Sequence, residues 1–198
     1  LLAHDFDKII HHISKSIDED ETHVQSILNC KASPLNNGCT IKIRYLYQVY
    51  REQAPEMVFS QLLAGFEAAS QDKRVVGLNM VQPEDGLISM RDYSLQMQMV
   101  GFLHRLYPHV PISLHAGELT ESLVPSEGIK FHINEAVRIA NANRIGHGVD
   151  VMEENDPEQL LKEMSKRGVL VEINLSSNFI TLPGIGDNHP LPTYLQFQ

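Results

Sequence analysis

The sequence predicts an α/β fold built on parallel strands, a partial (β/α)8 barrel of the TIM type with helices at its N-terminus. Five short apolar segments alternate with four amphipathic segments, each long enough to return the chain in the same direction. Polar residues follow several of the apolar segments, which is how a β/α barrel builds its active-site face. A doubly wound sheet fits the alternation as well, but no glycine-rich phosphate-binding fingerprint follows any predicted strand. We therefore expect a barrel arrangement.

The predicted strands are short runs rich in apolar and β-branched residues. They are Ile41 to Tyr50, Val75 to Val81, Ile112 to His115, Arg144 to His147 and Val169 to Leu175. Between them, apolar residues recur at helical spacing and predict four helices with core-facing stripes. The stripes are Val58, Leu62, Phe66 and Ala69; Leu95, Met99, Leu103 and Leu106; Ile133, Val137 and Ala140; and Leu160, Leu161 and Met164. The fourth helix is expected to begin at Pro157, with Asp156 as its N-cap, and to end near Gly168.

The N-terminal residues predict a helical lead-in. Residues 5–16 and 19–29 are interpreted as two helices, because the acidic cluster at 18–21 suits the positive start of a second helix. Cys30 and Cys39 bracket the loop that follows. Two unrelated reduced thiols are the favoured interpretation, and a loop-closing disulfide is the alternative if the protein is exported. Residues 1–198 are expected to form one domain, with a lead-in at 1–35 and a barrel section at 40–198.

Composition limits the possible partners. The chain has 198 residues, 42% of them apolar, and a formal net charge of −9. An acidic surface disfavours nucleic acid, and no apolar run approaches the roughly 20 residues that span a bilayer. We expect a small-molecule partner, with no nucleic acid and no membrane. The first residues lack an initiator methionine and a signal peptide, so the chain is expected to begin inside a longer protein, and its compartment stays open.

Two strand ends predict chemistry. The apolar run that starts at Ile112 ends in His115-Ala116-Gly117-Glu118, and a later strand ends in Arg144-Ile145-Gly146-His147-Gly148. Histidines at the ends of successive parallel strands suggest one polar site, with a metal ligand beside a proton carrier. A lone strand-end histidine is more often structural, and Glu118 on its own is equally compatible with a surface carboxylate.

These motifs, in this order, resemble those of the adenosine deaminase family. The segment 75–80, the segment 174–178 and the His189-Pro190 pair also match in order, so the resemblance covers roughly residues 40 to 192. It is closest to the longer deaminase-like proteins, including the secreted growth-factor type. The resemblance implies that His115 is a Zn²⁺ ligand, that Glu118 donates a proton to a purine ring nitrogen and that His147 orients the attacking hydroxide. Asn79 and Gln82 are candidate substrate-binding residues, and for Asn79 a hydrogen-bonding role at the barrel rim is the favoured alternative. The substrate would be adenosine or a related purine nucleoside.

The sequence departs from the family pattern in the rest of the zinc site. The family also needs a His-x-His pair and an Asp-Asp pair, and this chain has neither. His11-His12 is adjacent and lies in a predicted helix, so it cannot present both rings to one side of a strand. Gln82 stands where many members have a glycine. His189-Pro190 is expected to be structural. The other histidines are expected to be solvated or on helix surfaces: His4, His11, His12, His23, His104, His109 and His132.

Counted against the family, the five strands correspond to the third through seventh of eight. Such an open section has two unpaired edges. We therefore expect a section of a longer polypeptide that, alone, is inactive, holds no stoichiometric zinc and forms a homo-oligomer unless the remainder of the same polypeptide covers the edges. Two alternatives stay open: another metal-dependent barrel amidohydrolase, and a non-catalytic remnant that acts as an oligomerisation module.

Overall fold

The computed structural model describes residues 2–197, with the side chains of residues 6–186 and 188–197; the predicted surface position of His4 lies outside the described side chains. Five strands and seven α-helices make up this part of the chain. The strands are β1 Tyr45–Tyr50, β2 Val75–Val81, β3 Ser113–Ala116, β4 Arg144–His147 and β5 Leu170–Glu172. The helices are α1 Leu2–Ile27, α2 Pro55–Gln71, α3 Leu87–Leu106, α4 His132–Arg138, α5 Pro157–Arg167, α6 Leu175–Thr181 and α7 Leu191–Gln196. Short 3-10 helices cover Asn37–Thr40, Ser126–Ile129 and Gly186–Asn188.

All five strands are parallel and follow one another in chain order. β1 pairs with β2, and β3, β4 and β5 form a second ladder. A parallel bridge between Leu78 and Ile112 joins the two ladders. This arrangement confirms the predicted α/β class and the predicted succession of strands, which places all the carboxyl ends on one face of an open barrel section.

Strand bounds agree best where a strand has partners on both sides. β2 and β4 match their predicted bounds. The first strand begins at Tyr45 rather than Ile41, because its pairing with β2 starts at Val75. The last strand is also shorter than predicted: it ends at Glu172, and the chain enters α6 at Leu175.

The core lies between the strands and the helices that cross back over them. The predicted stripes of α2, α4 and α5 are buried except for Ala69, which is half-buried. The stripe predicted for α3 is wrong: Leu95 and Leu106 are exposed. The buried side of α3 includes Tyr93, Met97, Val100 and Leu103. Pro157 opens α5 as predicted, and Gly168, with φ +66°, ends it; Asp156 occupies the N-cap position without a capping hydrogen bond from its side chain.

The lead-in is one helix rather than two. α1 continues through the acidic cluster, which the sequence had placed at a helix start. Arg74, immediately before β2, explains the difference: its guanidinium pairs with Asp18 at 2.6 Å and with Glu21 at 3.4 Å. Distant positive charge therefore compensates acids in the middle of α1. Within residues 2–197, no helix is long and apolar enough to cross a membrane.

The predicted reduced state of the two cysteines is also wrong. Cys30 and Cys39 form a disulfide, with their Cα atoms 5.6 Å apart. The loop between them folds back on itself, because Asn29 adopts φ +53° and the Asn36 side chain accepts the N–H of Gly38. Local turn geometry, rather than spacing alone, brings the two sulfur atoms together.

Candidate active site

His115 lies in β3 with its ring fixed by the neighbouring strand. Its Nδ1 is 3.0 Å from Oδ1 of Asn79 and 3.2 Å from the carbonyl oxygen of Met80. Asn79 presents this oxygen because its amide nitrogen donates to Gln48. Two acceptor oxygens at Nδ1 favour a proton there and leave the Nε2 lone pair available, which is the arrangement seen in metal-binding histidines. Gly146, opposite His115 in β4, leaves room for the ring.

His147, at the end of β4, lies beside His115. The two ring centroids are 5.2 Å apart. His147 has φ +73°, a backbone conformation that is uncommon for a residue with a side chain and that turns the ring at the strand end. Its Nδ1 is 2.8 Å from Nδ2 of Asn178 and 3.3 Å from Oε1 of Glu118. Burial lowers the pKa of His147, against the opposing effect of the Glu118 carboxylate.

Glu118 is partly buried at the end of the turn after β3. The same oxygen that faces His147 also accepts the hydroxyl of Thr181, at the end of α6, over 3.1 Å. The structure thus brings together His115, His147 and Glu118 from the carboxyl ends of β3 and β4.

The two implied substrate-binding residues lie elsewhere in the network. Asn79 orients His115, as described above. Gln82 has φ +82°, so the backbone keeps the conformation that a glycine adopts readily. Its side chain accepts the N–H of Glu52 over 2.8 Å, and the Glu52 carboxylate in turn accepts backbone N–H groups of Ile88 and Ser89 at the start of α3.

Asn178 extends the site away from the strands. It is fully buried, and its amide oxygen lies 3.2 Å from Nε2 of His189, while its amide nitrogen faces His147. His189 also accepts the N–H of Leu191 at the start of α7, and the structural role of the His189-Pro190 pair stays a prediction. Asn174 and Ser176, which the predicted strand Val169 to Leu175 would place at its C-terminal end, lie at the start of α6 instead.

Sequence reasoning missed a buried acid beneath the site. Glu84 follows β2 by three residues, is 6% exposed, and accepts the N–H groups of Gly117 and Glu118, each over 2.9 Å. His132 donates to it from Nδ1 over 2.6 Å. Burial alone would raise the pKa of Glu84, but His132, Arg51 and Gly117 lower it to about 2. Its position after a strand end was a usable signal, whereas its partners are distant in sequence.

His132 corrects an expectation, because it is completely buried rather than solvated. Its ring stacks on Tyr93 with centroids 3.7 Å apart, and the Tyr93 hydroxyl donates to its carbonyl oxygen. The described side chains of His11, His12, His23 and His109 are exposed and that of His104 is half-buried on α3, as expected.

Further buried charges surround this network. Arg51, fully buried at the end of β1, donates to the carbonyl oxygens of Met80 and His115. Asp150 is buried behind Gly117, and among the described residues neither of its carboxylate oxygens has a hydrogen-bond partner. Burial, followed by the nearby charges of Glu84 and Glu154, raises the pKa of Asp150 well above its ordinary value.

The zinc that the resemblance implies would need several protein ligands. Among the described side chains, those of residues 6–186 and 188–197, no group of three histidine, cysteine, aspartate or glutamate residues could hold a metal ion. A catalytic zinc takes three protein ligands and a water. His115 fits as one such ligand, since its Nδ1 is hydrogen-bonded and its Nε2 is available. The described side chains therefore include a histidine suited to bind zinc but no complete set of ligands.

Histidines and a carboxylate at the carboxyl ends of parallel strands have the arrangement of a barrel enzyme's active site. The sequence model of the adenosine deaminase family matches residues 10–198, and the chain belongs to that family. It is 28% identical over 100 residues to an adenosine deaminase of Shewanella woodyi, covering 50% of this chain and 29% of that protein. It is 29% identical over 117 residues to an adenosine deaminase of Mycobacterium ulcerans, covering 59% and 27%.

A solved structure shares the fold. The crystal structure of an adenine deaminase from Arthrobacter aurescens superposes with a TM-score of 0.54 at 21% identity, covering 89% of this chain and 48% of that one. The chain therefore spans less than a third of the curated relatives it matches and about half of the solved neighbour.

Proposed function

We propose that this chain supplies part of the active site of a hydrolase that deaminates adenosine or a related purine nucleoside. The observation that supports this most is the convergence of His115, His147 and Glu118, with the His147 ring nitrogen 3.3 Å from the Glu118 carboxylate. In the reaction, water adds to the ring carbon that carries the amino group, the carbon–nitrogen bond breaks, and a hydroxypurine and ammonia form.

Each of the three residues has a distinct part in this proposal. Glu118 donates a proton to the purine ring nitrogen, which makes the adjacent carbon electrophilic. His147, held by Asn178 and Glu118, orients the attacking water. His115 would bind zinc through Nε2, with Asn79 and Met80 fixing its ring. Zinc, when bound, supplies a water whose pKa is lowered to about 7.

The remaining zinc ligands would come from residues outside these 198. The number of ligands that a catalytic zinc requires supports this proposal, as does the incomplete donor set among the described side chains. We therefore expect the 198-residue chain alone to retain no stoichiometric zinc after dialysis against a mild chelator and to release no ammonia from adenosine. Retention of one zinc per chain would contradict this expectation.

The activity is tested on the longest continuous reading frame that contains the chain. Ammonia release is measured with adenosine, deoxyadenosine and adenine in parallel, the last because the solved neighbour is an adenine deaminase. Glu118→Gln keeps the shape of the side chain and loses the proton, so turnover should fall by about 10³-fold while zinc content stays the same. Near-normal turnover of Glu118→Gln would refute the assigned role.

The matched control is Glu121→Gln, which makes the same change on an exposed carboxylate three residues further on. The assay also separates the alternatives. A zinc-containing protein that releases no ammonia from any of the three purines would be a different barrel hydrolase. A full-length protein without zinc would be a non-catalytic remnant.

A further inference from the structure

The turn after β3 (residues 116–118) is held from outside its own strand. Gly117 has φ +76°, and both Gly117 and Glu118 direct their backbone N–H groups at a single carboxylate, that of Glu84. Oε1 accepts one N–H group and Oε2 accepts the other, each over 2.9 Å. Because the two acceptors belong to one rigid group, the bridge fixes both the position and the tilt of the turn.

Glu84 is itself held by a ring that cannot easily move. His132 donates to Oε1 and is completely buried. One face of its ring stacks on Tyr93, and Phe131 packs edge-on against it. The Tyr93 hydroxyl also bonds the His132 carbonyl oxygen. The carboxylate therefore has little freedom to follow the turn if the turn shifts.

We propose that Glu84 is a positioning residue for the reaction, which sets the place of the Glu118 carboxyl relative to His147 through the backbone of the turn after β3. His132 supports it by holding the Glu84 carboxylate. This inference rests on the proposed deaminase function. It is distinct from the roles of His115, His147 and Glu118, because Glu84 lies beneath the turn and touches its backbone.

Glu84→Gln isolates the contact. An amide can keep the oxygen that faces Gly117 and His132, but its NH₂ group then faces the Glu118 N–H, donor against donor. The turn must shift at Glu118. In the full-length protein we expect kcat to fall by about 100-fold, as for a misplacement of about 1 Å, with KM changed less than about threefold and zinc content unchanged.

Glu154→Gln is the matched control. Glu154 is a second buried glutamate in the same region, 3% exposed, and it also accepts two backbone N–H groups, those of Ile133 and Asn134 at the start of α4. The same chemical change there leaves the turn alone, and kcat should stay within about twofold of wild type. An unchanged kcat in Glu84→Gln, or an equal loss in both variants, would overturn the proposal.

A readout without turnover separates this proposal from the proposed function. Hydrogen exchange, resolved at Gly117 and Glu118 by mass spectrometry with fragmentation, should be about tenfold faster at Glu118 in Glu84→Gln than in wild type or Glu154→Gln, since a lost hydrogen bond costs about 1.4 kcal/mol. If the wild-type protein proves inactive, the proposed function fails and this exchange pattern alone decides whether Glu84 holds the turn. Equal exchange at Glu118 in all three proteins would refute it.

A second variant serves if Glu84→Gln does not fold. His132→Phe keeps an aromatic ring stacked on Tyr93 and removes the donor to Glu84, while both backbone bonds to the turn remain. We expect a smaller fall of about tenfold in kcat at unchanged KM, since the carboxylate is released on one side only. A kcat equal to wild type in His132→Phe would contradict the proposal.

Discussion

The buried carboxyl of Glu154 should make the stability of this protein fall as the pH rises through neutrality. Glu154 is 3% exposed, and Oε1 accepts two backbone N–H groups at the start of α4, while within the described residues Oε2 has no partner. Burial raises the pKa of Glu154 from 4.5 to about 7, and the charges of Glu84 and Glu135 act in the same direction. Below about pH 7, the buried acid is therefore mainly in its neutral form.

The magnitude follows from the difference between the folded and unfolded pKa. Because the folded pKa of Glu154 is the higher one, the stability contributed by the neutral carboxyl is fully present below about pH 4.5 and is lost as the pH rises through about 7. The whole shift corresponds to about 3.4 kcal/mol, of which roughly 2.5 kcal/mol falls between pH 5 and pH 8. Glu154→Gln cannot ionise and should lack this loss.

The assay is urea unfolding of wild type and Glu154→Gln at pH 5, 6, 7 and 8. The chain has no tryptophan, so far-ultraviolet circular dichroism follows the transition. The free energy of unfolding of the variant, relative to that of wild type, should rise by about 2.5 kcal/mol between pH 5 and pH 8. Glu153→Gln, on the exposed neighbour, controls for the loss of one acid from the surface. If the difference in the free energy of unfolding between wild type and Glu154→Gln does not change with pH, the reasoning is refuted.

Two further predictions concern the backbone. Replacing Cys30 and Cys39 together by serine opens a loop with a sequence separation of 9. On the chain-entropy relation, the free energy of unfolding measured with urea should fall by about 2.6 kcal/mol. A reductant should lower the free energy of unfolding of wild type equally, and no change in either case would contradict the prediction. Gln82→Ala and Gln82→Gly both lose the hydrogen bond to Glu52, but only glycine adopts φ +82° without strain. The free energy of unfolding of Gln82→Gly should therefore be higher by about 1 kcal/mol, and the reverse order would show that this conformation carries no strain.

The parts of the fold that sequence could predict are those set by local pattern. β2 is a short apolar run followed by Gln82, and β4 is a short run that ends in His147. The end of α5 at Gly168 follows from a backbone conformation that glycine prefers. The proximity of His115 and His147 followed from parallel strands in chain order. These inferences needed no knowledge of distant contacts.

The parts that sequence could not predict depend on partners far along the chain. From the sequence alone, the acidic stretch of α1 resembles a helix start. In the fold, Arg74 pairs with two of these acids and compensates their charge. From the sequence alone, His132 resembles a surface histidine. In the fold, its ring is hydrogen-bonded to Glu84, which precedes it by 48 positions. Neither contact produces a periodic pattern in the sequence. An ion pair across the fold fixes the residue types at two positions but not the number of residues between them.

The junction between the two ladders, where β2 meets β3, is held largely by side chains. Where β2 meets β3, the described backbone pairing narrows to the Leu78–Ile112 bridge, with the Leu78 N–H bonded to the Pro111 carbonyl oxygen. Side chains reinforce that junction, as Arg51, Asn79 and Glu84 all bond across it to residues 115–118. Substitutions of these three residues will therefore disturb the candidate site and the sheet junction together, so the site and the folding stability cannot be varied separately here.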